Sequence, residues 1–154
     1  MSLAEEFAVR YAGLRQAYGT FTASNETRED GKASGKNITI SKELSDSDLL
    51  KLWEDHLSGH QSVGIVAIDE HNKCVWGAID VDEYQLDLKD LAIKIAKQDL
   101  PLVLCRSKSG GAHIYIFLTE PILASVLQRK LRQIAASIGY GQVEIFPKQT
   151  KLLL

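Results

Sequence analysis

The chain has 154 residues, 45% of them apolar, and a formal net charge of −2 at pH 7. This length and composition predict one compact domain with its own core. The charge excludes a protein that binds nucleic acid through an excess of basic residues over its whole surface. Any nucleic-acid site must therefore be local. The acidic start and the lack of an apolar run near the roughly 20 residues that span a bilayer predict a cytoplasmic protein with no membrane segment.

Apolar residues at helical spacing open the chain and predict an amphipathic helix that ends near Gly19. The members of this stripe are Leu3, Phe7, Tyr11, Leu14 and Tyr18. Residues 20–36 are rich in polar residues and glycine and show no apolar periodicity, which predicts an exposed loop. A short strand is predicted at residues 38–40.

A second helix and a pair of strands are predicted next. Ser45 or Ser47 caps the helix, and Gly59 ends it. Residues 63–68 and 74–81 form apolar runs on either side of a four-residue polar turn, which predicts a β-hairpin.

The following part of the chain predicts a third helix, which ends before Pro101, and a second hairpin. The residues that mark the helix are Leu88, Leu91, Ala92 and Ile95. Residues 102–106 are predicted to pair with residues 112–118 across a turn of serine and glycine.

Pro121 is predicted to open a fourth helix, and residues 142–146 are predicted to form the last strand. The inward side chains of this helix are Leu123, Leu127, Leu131, Ile134 and Ile138. The whole order of elements predicts an α+β fold in which helices pack on a mixed sheet.

Two aspartates stand two residues apart at the end of an apolar strand. Strand alternation aims Asp80 and Asp82 at one face, and Ile79 and Val81 at the other. Like charges side by side repel unless cations neutralise them, and Mg²⁺ and Mn²⁺ prefer carboxylate oxygen. The pair therefore indicates a metal site. The alternative is two solvated carboxylates where a strand meets a loop.

The turn of the second hairpin collects groups that can bind phosphate. Its polar residues are Arg106, Ser107, Lys108 and Ser109, and Gly110, Gly111, Ala112 and His113 follow them. Glycines let the backbone approach an anion, and the N–H groups, hydroxyls and cations can bind its oxygens. The turn is thus predicted to bind phosphate, the alternative being an ordinary turn followed by a structural histidine.

A single carboxylate, Glu144, interrupts the last apolar strand. If this strand lies beside the one that carries Asp80 and Asp82, Glu144 becomes a third oxygen ligand, and three carboxylates suit a two-metal site. A glutamate on the surface is the alternative.

Three motifs in this order resemble those of the archaeo-eukaryotic primase superfamily. They are Ile79-Asp80-Val81-Asp82, Ser109-Gly110-Gly111-Ala112-His113 and Val143-Glu144. The surrounding residues, from about 63 to 149, resemble the primase domain of TOTE conflict systems.

The resemblance implies a single primase-polymerase catalytic core over residues 1–154, which we expect to be shortened at its C-terminus. An N-terminal αβ unit, 1–60, would stand beside an RRM-like catalytic sheet, 61–154. The implied catalytic and metal-binding residues are Asp80, Asp82 and Glu144, which would hold two Mg²⁺ or Mn²⁺ ions. The implied nucleotide-binding residues are His113, which would contact the triphosphate, and Arg106, Ser107, Lys108 and Ser109, which would assist it.

The function that the resemblance implies is a metal-dependent nucleotidyltransferase of the DNA primase/polymerase type. Its partners would be nucleoside triphosphates, a DNA or RNA template, and a helicase or another replication or defence protein. Two alternatives stay open. One is a catalytically inactive module that binds nucleotides or nucleic acid, and the other is a metal-dependent phosphodiesterase or nuclease.

Overall fold

A computed structural model of the chain describes residues 1–29 and 33–153. The chain divides into two compact units, Met1–Asp69 and Glu70–Leu154. This division falls later than the predicted boundary after residue 60, because the strand at residues 64 and 65 pairs inside the first unit. That the two units serve as one catalytic core stays a prediction.

The N-terminal unit contains two helices and a three-stranded antiparallel sheet of order β2-β1-β3. Its elements are α1 (Leu3–Arg10), β1 (Ala17–Thr27), β2 (Ala33–Ser41), α2 (Asp46–Leu57) and β3 (Gly64–Ile65). A cluster of buried residues forms its core, namely Ala4, Leu44, Leu49, Leu52 and Trp53, and aromatic rings pack against it. The ring centroid of Trp53 lies 5.2 Å from that of Phe7 and 5.4 Å from that of Tyr11, so α1 and α2 are joined by rings in contact.

The first helix is shorter than predicted, since α1 ends at Arg10. Beyond it, Leu14 donates its backbone N–H to the carbonyl of Val66 at 2.9 Å, and a Cβ atom at Gly13 would lie only 2.1 Å from that oxygen. This close approach ends the helical path. Tyr18, which was predicted to lie on the helical stripe, instead lies in β1 opposite Ile40.

The predicted loop at residues 20–36 is wrong for the described residues, which belong to the β1–β2 hairpin. Thr20 pairs with Ile38, within the predicted strand, and Phe21 pairs with Asn37. Residues 30–32 lie outside the described part of the chain. Residues 22–27 are exposed on both faces of β1, so backbone pairing forms this strand without the apolar alternation that would reveal it in a sequence.

The second helix is confirmed. Ser45 caps α2 in a capping box with Asp48, because each backbone N–H donates to the side chain of the other residue at 3.1 Å. The helix stops before Gly59, whose positive φ of 79° favours glycine.

The C-terminal unit contains a four-stranded sheet of order β5-β6-β4-β7 with two helices. Its elements are β4 (Lys73–Val81), α3 (Leu88–Ala96), β5 (Leu102–Arg106), β6 (Ala112–Leu123), α4 (Ala124–Ser137) and β7 (Glu144–Phe146). This β-α-β-β-α-β order is the split βαβ arrangement, in agreement with the expected RRM-like sheet. The chain therefore has an α+β fold, and α3 and the β5–β6 hairpin are confirmed.

The prediction of a mixed sheet is wrong, because every strand pair among the described residues is antiparallel. The helices α3 and α4 each connect two parallel strands, but a third strand lies between them in both cases. The predicted hairpin of residues 63–68 and 74–81 is also wrong. Its first run contributes β3, which pairs with β1, whereas β4 pairs with β6 and β7.

The fourth helix begins later than predicted. Pro121 lies within β6, where the register with β4 shifts between Phe117 and Ile122, so its missing N–H falls at an irregularity of the ladder. Helix α4 then begins at Ala124. Leu123, which was predicted to point inward, is half exposed.

Helix α4 covers one face of the C-terminal sheet at Gly77. A Cβ atom at this glycine would lie 2.7 Å from Cδ1 of Leu131 and 3.0 Å from Cδ2 of Leu127. Strand alternation puts Ile79 on the same face, where it is fully buried, and puts Asp80 on the opposite face. No helix of the described residues has both the length and the apolar character needed to cross a membrane.

Candidate functional site

Four chemically active side chains occupy one row across the C-terminal sheet, which we call the polar row. Cys105 of β5 pairs with His113 of β6, His113 pairs with Asp80 of β4, and Asp80 pairs with Glu144 of β7. Directly opposed residues of antiparallel strands place their Cβ atoms about 4.5–5.5 Å apart on the same face. The register therefore brings three of the predicted site residues, Asp80, His113 and Glu144, side by side.

The imidazole of His113 lies against the carboxylate of Asp80, with 3.4 Å between Nε2 and Oδ1. On the other side of the ring, the hydroxyl of Tyr115 is 3.3 Å from Nδ1. The Asp80 carboxylate raises the pKa of His113 above its ordinary 6.5, although partial burial of the ring works in the opposite direction. The protonated form of His113 is thereby favoured, and a cation suits a phosphate-binding role.

The turn at residues 107–111 is closed by its own backbone. Ser107 donates its N–H to the carbonyl of Gly111 at 2.9 Å, and Gly110 donates to the carbonyl of Ser107 at 3.1 Å. A Cβ atom at Gly111 would lie 2.1 Å from the carbonyl oxygen of Val81, so only glycine lets the turn approach the end of β4.

This approach links the turn to the second aspartate. The hydroxyl of Ser109 donates to Oδ1 of Asp82 at 3.3 Å, and it lies 3.2 Å from the hydroxyl of Ser107. The turn that was predicted to bind phosphate is thus adjacent to a predicted metal ligand.

The two cations of the turn region are placed differently. Lys108 is an exposed residue of the turn itself. Arg106 pairs with Ala112, and alternation along β5 assigns it to the face opposite that of Cys105 and His113. The structure therefore does not bring Arg106 into the polar row.

Glu144 forms an ion pair with a lysine that follows β7. Nζ of Lys148 is 2.6 Å from Oε1 of Glu144 and 5.1 Å from the ring centroid of Phe146. The side-chain amide of Gln128 in α4 donates to the backbone carbonyls of Pro147 and Lys148 at 2.9 and 3.0 Å. These bonds fasten the segment that carries the lysine.

The residue types and strand positions of Asp80, Asp82 and Glu144 suit Mg²⁺ or Mn²⁺, which prefer carboxylate oxygen. Their side chains do not converge, however, and residues 1–29 and 33–153 contain no group of three or more His, Cys, Asp or Glu side chains that could hold an ion. Each carboxylate instead contacts a donor of its own unit. An ion would therefore require these side chains to turn, which the partial exposure of Asp80 and Glu144, 27% and 49%, allows.

Three neighbours of these residues were not among the predicted site residues. Tyr115 could have been suspected because it lies two residues after His113 and so shares its face. Cys105 enters the row only through the register of β5 with β6, and Lys148 meets Glu144 only because of the path that the chain takes after β7.

A family model described as "TOTE conflict system, Archaeo-Eukaryotic Primase domain" matches residues 4–152 of the chain. The matched range includes all the predicted site residues and extends through both compact units. No curated protein matches the chain.

Proposed function

Because the chain belongs to the archaeo-eukaryotic primase domain family of TOTE conflict systems, we propose that it is a metal-dependent nucleotidyltransferase that adds nucleotides to a nucleic-acid strand. Membership of the family supports a primase-like, nucleotidyltransferase type of function. The proposal is more specific in naming the reaction. The 3′-hydroxyl of a strand attacks the α-phosphate of a nucleoside triphosphate, a new P–O bond forms, and pyrophosphate leaves.

The observation that carries the proposal is the position of Asp80 between His113 and Glu144 in the polar row. Like charges directly opposite each other in a sheet repel, and in the structure Lys148 offsets part of this repulsion by pairing with Glu144. A divalent cation held by Asp80 and Glu144 together would offset it at both carboxylates. We infer that Asp80, Asp82 and Glu144 hold Mg²⁺ or Mn²⁺. Such ions supply neutralisation of the phosphate charge and of the leaving pyrophosphate.

The polyphosphate binds, in this proposal, between the carboxylates and the turn at residues 107–111. His113 offers a ring whose pKa is raised by Asp80, and Ser107 and Ser109 offer hydroxyls close to Asp82. Lys108 adds an exposed positive charge. Arg106 has less support, because its strand position assigns it to the opposite face. These groups act by orienting the phosphates and by balancing their charge.

A primer-synthesis and primer-extension assay with Mn²⁺ and nucleoside triphosphates tests the proposal. The double variant Asp80→Ala with Asp82→Ala should lose all product and keep its fold, which circular dichroism and thermal melting would verify. Glu54→Ala with Glu120→Ala is the matched control, since it removes two exposed carboxylates outside the polar row and should retain activity.

Three results separate the candidate functions. Product that disappears only in the Asp80/Asp82 variant supports the transferase. If the unmodified chain bound the triphosphate but formed no product, the transferase proposal would be wrong and the chain would be an inactive binding module. If the chain shortened labelled DNA or RNA, and if this cleavage required Asp80 and Asp82, the chain would be a nuclease and not a transferase.

A further inference from the structure

Lys148 acts as the counter-ion of the predicted metal ligand Glu144. Each of the three predicted ligands contacts a donor of the chain, and the Lys148–Glu144 contact is the shortest, at 2.6 Å against 3.3 Å for Ser109–Asp82 and 3.4 Å for His113–Asp80. It is also the only one of the three whose donor is an ammonium group. The lysine therefore neutralises the end of the polar row where two carboxylates oppose each other.

The backbone that carries Lys148 is held while its side chain is exposed. Gln128 binds the carbonyls of Pro147 and Lys148, so α4 fixes the position of this segment. The side chains of the ion pair are 56% and 49% exposed, and exposed pairs of this kind contribute little to stability. The ammonium group can thus leave Glu144 without disturbing the backbone.

The ring of Phe146 is a second neighbour of the Lys148 ammonium group. Nζ is 5.1 Å from the ring centroid, within the range of a cation–π contact. Phe146 pairs with Ala78, two residues before Asp80 along β4, so the ring belongs to the row adjacent to the polar row on the same face. A lysine that leaves Glu144 therefore stays beside the site.

We propose that Lys148 is an exchangeable counter-ion. It neutralises Glu144 in the metal-free protein, leaves this carboxylate when a divalent cation binds there, and then binds a phosphate group. The phosphate belongs either to the nucleoside triphosphate or to the nucleic-acid strand. This inference rests on the proposed function, because it assumes that Glu144 is a metal ligand.

The first experiment measures Mn²⁺ affinity, without nucleotide, by electron paramagnetic resonance of the free ion. Lys148→Met removes the charge and keeps the length of the side chain, so the variant should bind Mn²⁺ about fivefold more tightly, since the ion no longer competes with an ammonium group. Lys148→Arg keeps the charge and should resemble the unmodified chain. Lys151→Met is the matched control, an exposed lysine three residues further on, and should change nothing.

The second experiment measures phosphate binding by the same proteins in the presence of Mn²⁺. One arm titrates a nucleoside triphosphate, and the other titrates a single-stranded oligonucleotide that has no terminal phosphate. Lys148→Met should weaken binding about fivefold in one arm, and that arm identifies the source of the phosphate.

The outcomes distinguish this inference from the proposed function. Equal Mn²⁺ affinity in all four proteins, or unchanged binding in both phosphate arms, would overturn the role of Lys148 and leave the proposed function standing. Failure of every protein to bind Mn²⁺ would overturn both. Mn²⁺ binding by Lys148→Met alone would support the inference in its strongest form.

Discussion

In the N-terminal unit the charged side chains pair along the helices α1 and α2, whereas in the C-terminal unit they also pair across the face of a sheet. Arg15 reaches Asp46 in the first turn of α2, and Lys51 lies 3.0 Å from Asp55 one turn away along the same helix. In the C-terminal unit, His113 and Asp80 meet from neighbouring strands, and Asp80 also opposes Glu144. The pairs of α2 lie on a helix surface, whereas the pairs of the C-terminal sheet lie in the row that contains the predicted site residues.

The balance of charge differs in the same way. Residues 1–69 contain eleven acidic and seven basic residues, whereas residues 70–154 contain nine acidic and eleven basic residues. The nearly neutral charge of the whole chain thus hides an acidic unit and a mildly basic one. Since the basic unit also carries the polar row, we expect polar substitutions there to affect binding, and polar substitutions around α2 to affect stability.

The core beneath the polar row should give the largest loss of stability. Leu131 is fully buried in α4 against Gly77, so Leu131→Ala should lower the free energy of unfolding by about 2–5 kcal/mol, measured by urea denaturation. Val126→Ala on the same helix is the control, because this valine is 46% exposed and its truncation should cost little. Equal losses at both positions would mean that α4 does not pack as described.

The close approach of the 107–111 turn to β4 should give the next largest effect. Gly111→Ala forces a Cβ atom to within 2.1 Å of the Val81 carbonyl oxygen, and we expect a loss of about 1–3 kcal/mol in the free energy of unfolding. Gly141→Ala is the control, since its Cβ would meet only ordinary contacts at 3.6 Å. A Gly111→Ala protein as stable as the control would contradict the link between the turn and the end of β4.

Two serines that each hydrogen-bond an aspartate test the comparison between the units directly. Ser45→Ala removes the cap of α2 and should cost about 1 kcal/mol in the free energy of unfolding. Ser109→Ala, which removes the contact with Asp82, should change stability by less than about 0.5 kcal/mol. It should weaken triphosphate binding instead. If Ser109→Ala lowered the free energy of unfolding more than Ser45→Ala, Ser109 would have the structural role that is assigned here to Ser45.

The smallest effect concerns the protonation of His113. In metal-free protein, NMR titration should give His113 a pKa above 6.5, and Asp80→Asn should lower it, because the carboxylate that favours the charged ring is gone. Since the pKa of the folded state is raised, the pair stabilises the fold fully below pH 6.5, and this contribution disappears as the pH rises through the raised pKa. An unchanged His113 pKa in Asp80→Asn would show that the two side chains do not interact in solution.

Local signals were sufficient for the position of α3 and for the buried face of α4, which the spacing of Leu127, Leu131 and Ile134 describes. Secondary structure could not be predicted from the sequence where a segment had no apolar pattern, as in the exposed part of β1. The prediction was also wrong at Pro121, which was expected to start a helix. This proline instead lies in β6, where the register between β4 and β6 shifts.

The sequence alone determined that Asp80 and Asp82 would share one face of their strand. It also determined that His113 would point to one face of its strand and that Ala112 and Ile114 would point to the other. Both follow because alternation along a strand is a local property of the backbone. It could not determine which strands would be neighbours. Only the tertiary structure decided that Asp80 lies between His113 and Glu144, that Cys105 completes the row, and that Lys148 reaches Glu144. These contacts join residues distant in the chain or follow its path beyond a strand, and the packing of the whole unit selects them.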